Sequence, residues 1–361
     1  MRWLVLLVCL LSACAPRGAL VPAAIAPTEV TRDVYIATTR VLTTPLEAGP
    51  TRSLNLSYAR VKLAFPENRN PGDLGTPGRR PDPTSDIVAV ESERLADGQA
   101  FQARVARALQ ALPRGQRDAV IYIHGYNNTY GEGVLRVAQL TEDINANVVS
   151  LHYAWPSQAN PLGYGRDRES ALFARDGLER MIREVRQAGA DSLMLVAHSL
   201  GSHVVVETLR QIDIAQPGEA DALVDEVVLF SPDIDPEVFV SQLRRFRTVP
   251  EPFVIFASER DRALRLSARL NGSGRRLGNI PDIQTLAAFP VTVVDVTSFS
   301  RGVGHFVPGD SEVLLQLFAN AERVDQAFAG EGAGRPGLLP GTVLTIQNAT
   351  EIILTPVQSL N

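Results

Sequence analysis

Between residues 119 and 257 the sequence alternates short, mainly apolar runs with longer stretches whose apolar residues recur at helical spacing, and that alternation leaves few folds open. Runs over 119–123, 148–153, 193–196, 226–230 and 253–257 have the length of strands, and a further one follows at 291–296. Helical patterns cover 133–145, 166–188, 202–215 and 236–246; another spans 98–112, where Pro113 ends it, and a last one spans 311–328. Strands with no polar face are covered on both sides, and helices of this length join them as parallel neighbours through right-handed crossovers. The expectation is an α/β fold, a doubly wound, mostly parallel sheet with helices on both faces. Ligands in such sheets bind beyond the carboxyl ends of the strands, so the chemistry belongs in the loops there.

The flanks are less regular. Strand composition recurs over 34–39, 56–65 and 87–90, around a turn-rich 45–51 and a Pro- and Gly-rich surface loop over 66–85. A Gly- and Pro-rich stretch over 330–341 precedes a candidate hairpin at 342–356. With 361 residues, 45% of them hydrophobic and 21% charged, the chain can bury a full core. Its net charge of −5, with no basic cluster beyond pairs such as Arg79-Arg80 and Arg275-Arg276, argues against a nucleic-acid partner.

The N-terminus has its own logic. Met1-Arg2 leads into an apolar run too short to span a bilayer, followed by Leu11-Ser12-Ala13-Cys14. That tetrapeptide resembles the lipobox of bacterial lipoproteins, which implies cleavage after residue 13 and lipidation of Cys14. Ala15 in place of aspartate resembles outer-membrane sorting, so the expected location is the bacterial cell envelope, on the outer membrane facing the periplasm. Residues 14–32, rich in Ala and Pro, read as a tether. Loss of Cys9 with the signal leaves no thiol pair for a disulfide.

Within the frame of strand and helix, Ala197-His198-Ser199-Leu200-Gly201 places a serine where a buried strand turns into a helix, with small residues two positions away on each side. This is the nucleophile-elbow pattern with alanine at the first glycine position. A serine hydroxyl needs a base, usually a histidine oriented by a carboxylate. Of five histidines, His198 adjoins the serine on the turn, His203 lies in the following helix, His152 lies inside a strand, and His124 shapes a loop; all four read as structural. His305 follows the strand at 291–296 in a glycine-containing loop and comes last in the order Ser, acid, His. The acid should leave a strand between them. Asp261, after the strand at 253–257, is the choice over its neighbour Glu259 and over Asp233 and Asp235 after the preceding strand. Developing negative charge on an acyl oxygen needs fixed N–H donors, assigned to the backbones of Tyr126 and Leu200. Trp155 and Tyr164 fall near the site as loop packing or as a wall of an acyl pocket. No metal-ligand spacing and no cofactor motif accompanies these residues.

Together the pieces resemble the α/β-hydrolase superfamily and, more narrowly, the bacterial serine esterase/lipase-like family of the DUF900 type. They include Tyr35-Ile36-Ala37-Thr38-Thr39-Arg40, His124-Gly125-Tyr126-Asn127, Ala154-Trp155-Pro156-Ser157 with Tyr164 and Asp167, the elbow, Ser231-Pro232-Asp233-Ile234-Asp235, Ser258 to Leu264, Leu277-Gly278 and Gly304-His305, in order over residues 33–325. The resemblance implies a Ser199–His305–Asp261 triad cleaving small-molecule or lipid esters through an acyl-enzyme, without a cofactor. With the N-terminal features and the Gly- and Pro-rich 330–341, the chain divides into a signal (1–13), a tether (14–32), a hydrolase domain (33–329) and a C-terminal extension (330–361). The competing expectation is an envelope lipoprotein that uses the hydrolase fold as a non-catalytic binding module.

Overall fold

The computed structural model describes residues 17–23, 30–74, 82, 84–270, 272, 274–279, 286, 288–299, 342–348 and 351–356. Among these residues, eleven strands form one sheet: β1 (Thr31–Thr44), β2 (Glu47–Ala64), β3 (Val88–Leu95), β4 (Asp118–Ile123), β5 (Val149–Ala154), β6 (Ser192–His198), β7 (Glu226–Phe230), β8 (Phe253–Ala257), β9 (Thr292–Asp295), β10 (Thr342–Asn348) and β11 (Glu351–Pro356). Their order is β11-β10-β9-β8-β7-β6-β4-β5-β1-β2-β3. From β10 to β1 every neighbouring pair is parallel; antiparallel pairs close the two edges, β1-β2-β3 and β10-β11. The mostly parallel, doubly wound sheet expected from the alternation is present. The helices among the described residues are α1 (Gly98–Gln110), α2 (Tyr130–Asp143), α3 (Tyr164–Phe173), α4 (Arg175–Gln187), α5 (Leu200–Ala215), α6 (Glu219–Leu223), α7 (Pro236–Leu243) and α8 (Arg262–Leu270). The helical pattern at 311–328 lies outside the described residues.

The apolar strand runs follow from burial on both faces. In β4, Ala119, Ile121 and Ile123 enter one core cluster with α1, α4 and α5, while Tyr122 enters a second with Val134, Leu135, Val137 and Ala138 of α2. A period of two with apolar residues in both phases leaves no polar face.

Two local differences from the sequence expectation have physical causes. The single helix expected over 166–188 is two helices meeting at Ala174, where the buried Tyr153 hydroxyl donates to the Ala174 carbonyl at 2.6 Å. Gly177 lies so close to that phenol that a Cβ would stand 2.4 Å from its oxygen. The turn expected over 45–51 narrows to Pro45-Leu46, because β2 resumes pairing at Glu47 through register shifts in the β1-β2 ladder.

The strand order sets the site. The chain leaves β4 through α2 to β5 on one side, then returns through α3 and α4 to β6 on the other. The loops after β4 and β6 therefore diverge, and a crevice opens between their carboxyl ends.

Candidate active site

Ser199 occupies that crevice. Its backbone has φ 51° and ψ −121°, a left-handed conformation that costs a non-glycine residue on the order of 1–3 kcal/mol. The surrounding chain holds it there: Ser199 N–H donates to the Phe230 carbonyl at 2.9 Å, and Asp233 N–H donates to the Ser199 carbonyl at 3.2 Å. Ser199 stands at the N-cap position of α5, yet its hydroxyl caps no N–H of that helix. The turn thus presents the oxygen outward rather than spending it on the helix, and the helix N-terminus aims its partial positive charge at the same spot.

Two glycines bring the loop after β4 against this turn. A Cβ on Gly125 would lie 3.0 Å from the Ser199 Cβ, and one on Gly201 would lie 2.4 Å from the His124 carbonyl oxygen and 2.6 Å from that of Ile123. Only glycine permits both approaches, so the backbone at 124–126 passes directly over the serine. Ala197, at the first glycine position of the elbow, is wholly buried.

Several buried groups fix the 124–129 loop. Trp155 Nε1–H donates to the His124 carbonyl at 2.6 Å, and its indole stacks on the His124 ring at 4.9 Å. Trp155 is wholly buried behind the loop and is not among the residues that line the cavity at Ser199. Asp167 accepts from Asn127 N–H at 3.3 Å, from Ser157 Oγ–H at 2.6 Å and from Gln158 N–H at 2.7 Å. Burial raises its carboxyl above the usual range despite these donors. The wholly buried Arg40 donates to the Asn128 carbonyl at 3.1 Å, and desolvation lowers its guanidinium to about 10. At the loop's end Thr129 and Glu132 form a reciprocal capping box that starts α2.

A cavity of about 450 Å³ opens at Ser199, lined by Tyr126, Tyr164, His198, Asp233, Leu264 and Ser267 among others. The Tyr164 hydroxyl donates to Asp233 Oδ2 at 2.8 Å; burial, then the neighbouring carboxylate, push it up to about 12. The Asp233 carboxylate also accepts from Ser267 Oγ–H at 2.8 Å and pairs with Arg276 Nε at 2.9 Å. Ser267 and Arg276 carried no signal in the sequence reading. The one available for Ser267 was its place on the apolar stripe of α8 beside Leu264 and Ala268, where a hydroxyl needs a partner.

The four acid candidates part company. Asp233 is engaged by Tyr164, Ser267 and Arg276; Asp235 caps α7 through Glu237 N–H at 3.0 Å; Glu259 is exposed. Asp261 is wholly buried beyond the carboxyl end of β8, and one oxygen accepts from Leu264 N–H at 2.9 Å. Its backbone carbonyl accepts from Asn279 Nδ2–H at 3.0 Å. Gly278 lets that segment pack against the turn after β7, since a Cβ there would lie 2.6 Å from the Ser231 carbonyl carbon. His305 and Cys14 lie outside the described residues.

His152 and His124 sit behind the site as neutral rings. His152 Nδ1–H donates to the Tyr122 carbonyl at 3.0 Å, no donor among the described residues reaches its buried Nε2, and burial lowers its pKa to about 3. For His124, burial and then the Arg40 charge push the ring well below the usual histidine value. The unfolded chain binds protons at these rings from about pH 6.5 downward while the folded chain refuses them, so stability is full above that pH and is lost as pH falls. For His152 alone the loss is roughly 3 kcal/mol by pH 4. Melting temperature should therefore drop steeply from pH 6.5 to 4. A His152→Asn variant, which can still donate to Tyr122, should show a shallower slope in the same series of melts.

A strained serine on a strand-to-helix turn, beside a glycine loop at the switch point of a doubly wound sheet, defines an α/β hydrolase. The model of the family described as "Alpha/beta hydrolase of unknown function (DUF900)" matches residues 98–309, more than half of the chain, and the chain belongs to that family. Among solved structures it is similar to Thermogutta terrifontis esterase 2 phosphorylated by paraoxon, at 11% identity and a TM-score of 0.35 over 82% of this chain and 96% of that one. It is also similar to an inhibited esterase B from Lactobacillus rhamnosis, at 15% identity and a TM-score of 0.34 over 61% and 82% of the two chains. No match is found among curated proteins.

Proposed function

We propose that the protein is a serine carboxylic-ester hydrolase, held on a membrane by lipid on Cys14. The observation that carries this reading is the backbone of Ser199, held at φ 51° under a loop that two glycines bring into contact with it. Ser199 Oγ attacks the ester carbonyl carbon and passes its proton to His305. The negative charge on the carbonyl oxygen is met by the N–H groups of Tyr126 and Leu200. Collapse releases the alcohol, which takes the proton from His305, and a water molecule deprotonated by the same ring then releases the acid and restores the serine. Asp261 orients and stabilises the imidazolium. Its burial beyond β8, against the engaged Asp233, the capping Asp235 and the exposed Glu259, favours it for this part. The lipobox-like Leu11-Ser12-Ala13-Cys14 supports a place on the outer membrane facing the periplasm.

A fluorophosphonate probe tests the reading. Labelling confined to Ser199, and slowed at least a hundredfold by Asp261→Asn but not by Glu259→Gln, is the expected result. A folded protein that takes no label would be a binding module instead.

A further inference from the structure

The stretch between Cys14 and the first strand reads from its composition as a tether, but part of it is built into the domain. Arg17 Nη1–H donates to Asn127 Oδ1 at 2.9 Å, Nη2–H to the Asn127 carbonyl at 2.8 Å, and Nε–H to Glu132 Oε1 at 3.2 Å. Gly18, at φ +52°, lies so close to α2 that a Cβ would stand 2.2 Å from Glu132 Cγ, and a Cβ on Gly131 would stand 2.1 Å from the Gly18 carbonyl oxygen. Leu20 is buried at 7% exposure. Beyond it, Ala89 N–H donates to the Val21 carbonyl and Ala23 N–H to the Ala89 carbonyl, both at 2.9 Å. Arg17 therefore sits on the loop that covers Ser199, and it lines the cavity.

The distance that remains is short. An unstructured chain over 14–32 would let the domain roam roughly 25 Å from its anchor. From Arg17 back to Cys14 are three residues, spanning at most about 11 Å. The polar layer on each side of a bilayer's hydrocarbon core is itself about 5–7 Å thick. The rim of the cavity suits such a neighbour. Leu266, which lines it, is 58% exposed, and Leu162, next to the lining residue Pro161, is 94% exposed, the most exposed large apolar residue among those described.

Resting on the serine-hydrolase reading and on lipidation of Cys14, we infer that the cavity opens onto the membrane surface and takes its esters from the bilayer, with Leu162 and Leu266 entering the headgroup layer. The lipid anchor and the catalytic loop meet through Arg17, so anchoring sets the orientation of the site as well as its location. The substrate class is then long-chain acyl esters resident in the membrane.

The full-length lipoprotein, reconstituted into phosphatidylethanolamine–phosphatidylglycerol vesicles, tests this with two esters that share a leaving group. A variant carrying Leu162→Asp and a twenty-residue Gly/Ser spacer after Pro16 should hydrolyse vesicle-borne 4-methylumbelliferyl oleate at least tenfold more slowly than the parent. Both proteins should hydrolyse soluble 4-methylumbelliferyl butyrate equally, and 4-methylumbelliferyl oleate in detergent micelles equally. Parental rates on vesicles for the variant overturn the inference, as does a parent that turns over butyrate but not oleate in micelles. Absence of palmitate incorporation abolished by Cys14→Ser, or absence of butyrate turnover by the parent, removes the underlying reading and the inference with it. Self-association of the parent that is lost in the variant, with oleate rates unchanged, assigns the apolar rim to a second copy and overturns the bilayer.

Discussion

Ser199→Ala should lose ester turnover by a factor on the order of 10³ or more while the protein stays folded, because the substitution removes the proposed nucleophile and leaves the loop over it and the cavity in place. The two readouts are turnover of 4-methylumbelliferyl butyrate and the thermal melt. The melt carries information of its own. Alanine at φ 51° is strained much as serine is, so its melting temperature should match the parent's. Glycine adopts that conformation without strain, so Ser199→Gly should be equally inactive yet more stable, by about 1 kcal/mol. A more stable, inactive glycine variant would show that the fold stores strain at this residue to present the hydroxyl. If Ser199→Ala keeps parental turnover, the nucleophile lies elsewhere and the proposal fails.

How much of this was legible in the sequence follows from the range of the forces involved. Strand runs such as 226–230 and 253–257 match β7 and β8 residue for residue, because burial on both faces writes itself into every position. The elbow was legible too, since a strained turn between packed elements needs small residues at fixed offsets. The break at Ala174 was not legible, since it depends on Tyr153 reaching across from β5, and no periodicity in 166–188 encodes a phenol from another element. The Tyr164–Asp233–Ser267–Arg276 cluster was hidden for the same reason, as its members are 34 to 103 positions apart for the pairs that bond. Asp261 shows where a sequence pattern is ambiguous by nature. The same carboxyl that caps α8 through Leu264 N–H lies buried beyond β8, and a composition that permits one role permits both. Arg17 went unnoticed because Ala- and Pro-rich sequence carries no period, yet glycines at 18 and 131 let it dock.

Gly201→Ala should be the most damaging change that removes no functional group. The added methyl would stand 2.4 Å from the His124 carbonyl oxygen and 2.6 Å from that of Ile123, both backbone atoms at the end of a strand buried in the middle of the sheet. A flexible side chain could swing aside, but these oxygens move only if β4 or the start of α5 moves with them. Overpacking of that kind costs about 1–3 kcal/mol, read as a lower melting temperature. The shift also separates the 124–126 loop from Ser199, and a displacement near 1 Å at such a site costs roughly a hundredfold in rate. Stability and turnover should therefore fall together. Gly165→Ala supplies the contrast. It lies in α3, next to the cavity residue Tyr164, where a Cβ would meet nothing within 4 Å. There alanine should leave turnover unchanged and raise stability by about 0.4–1 kcal/mol, the usual gain where alanine adopts a glycine's conformation without strain. Were Gly201→Ala as active as Gly165→Ala, close approach of the two loops would not be what assembles the site, and the oxyanion donors would have to be sought away from Tyr126.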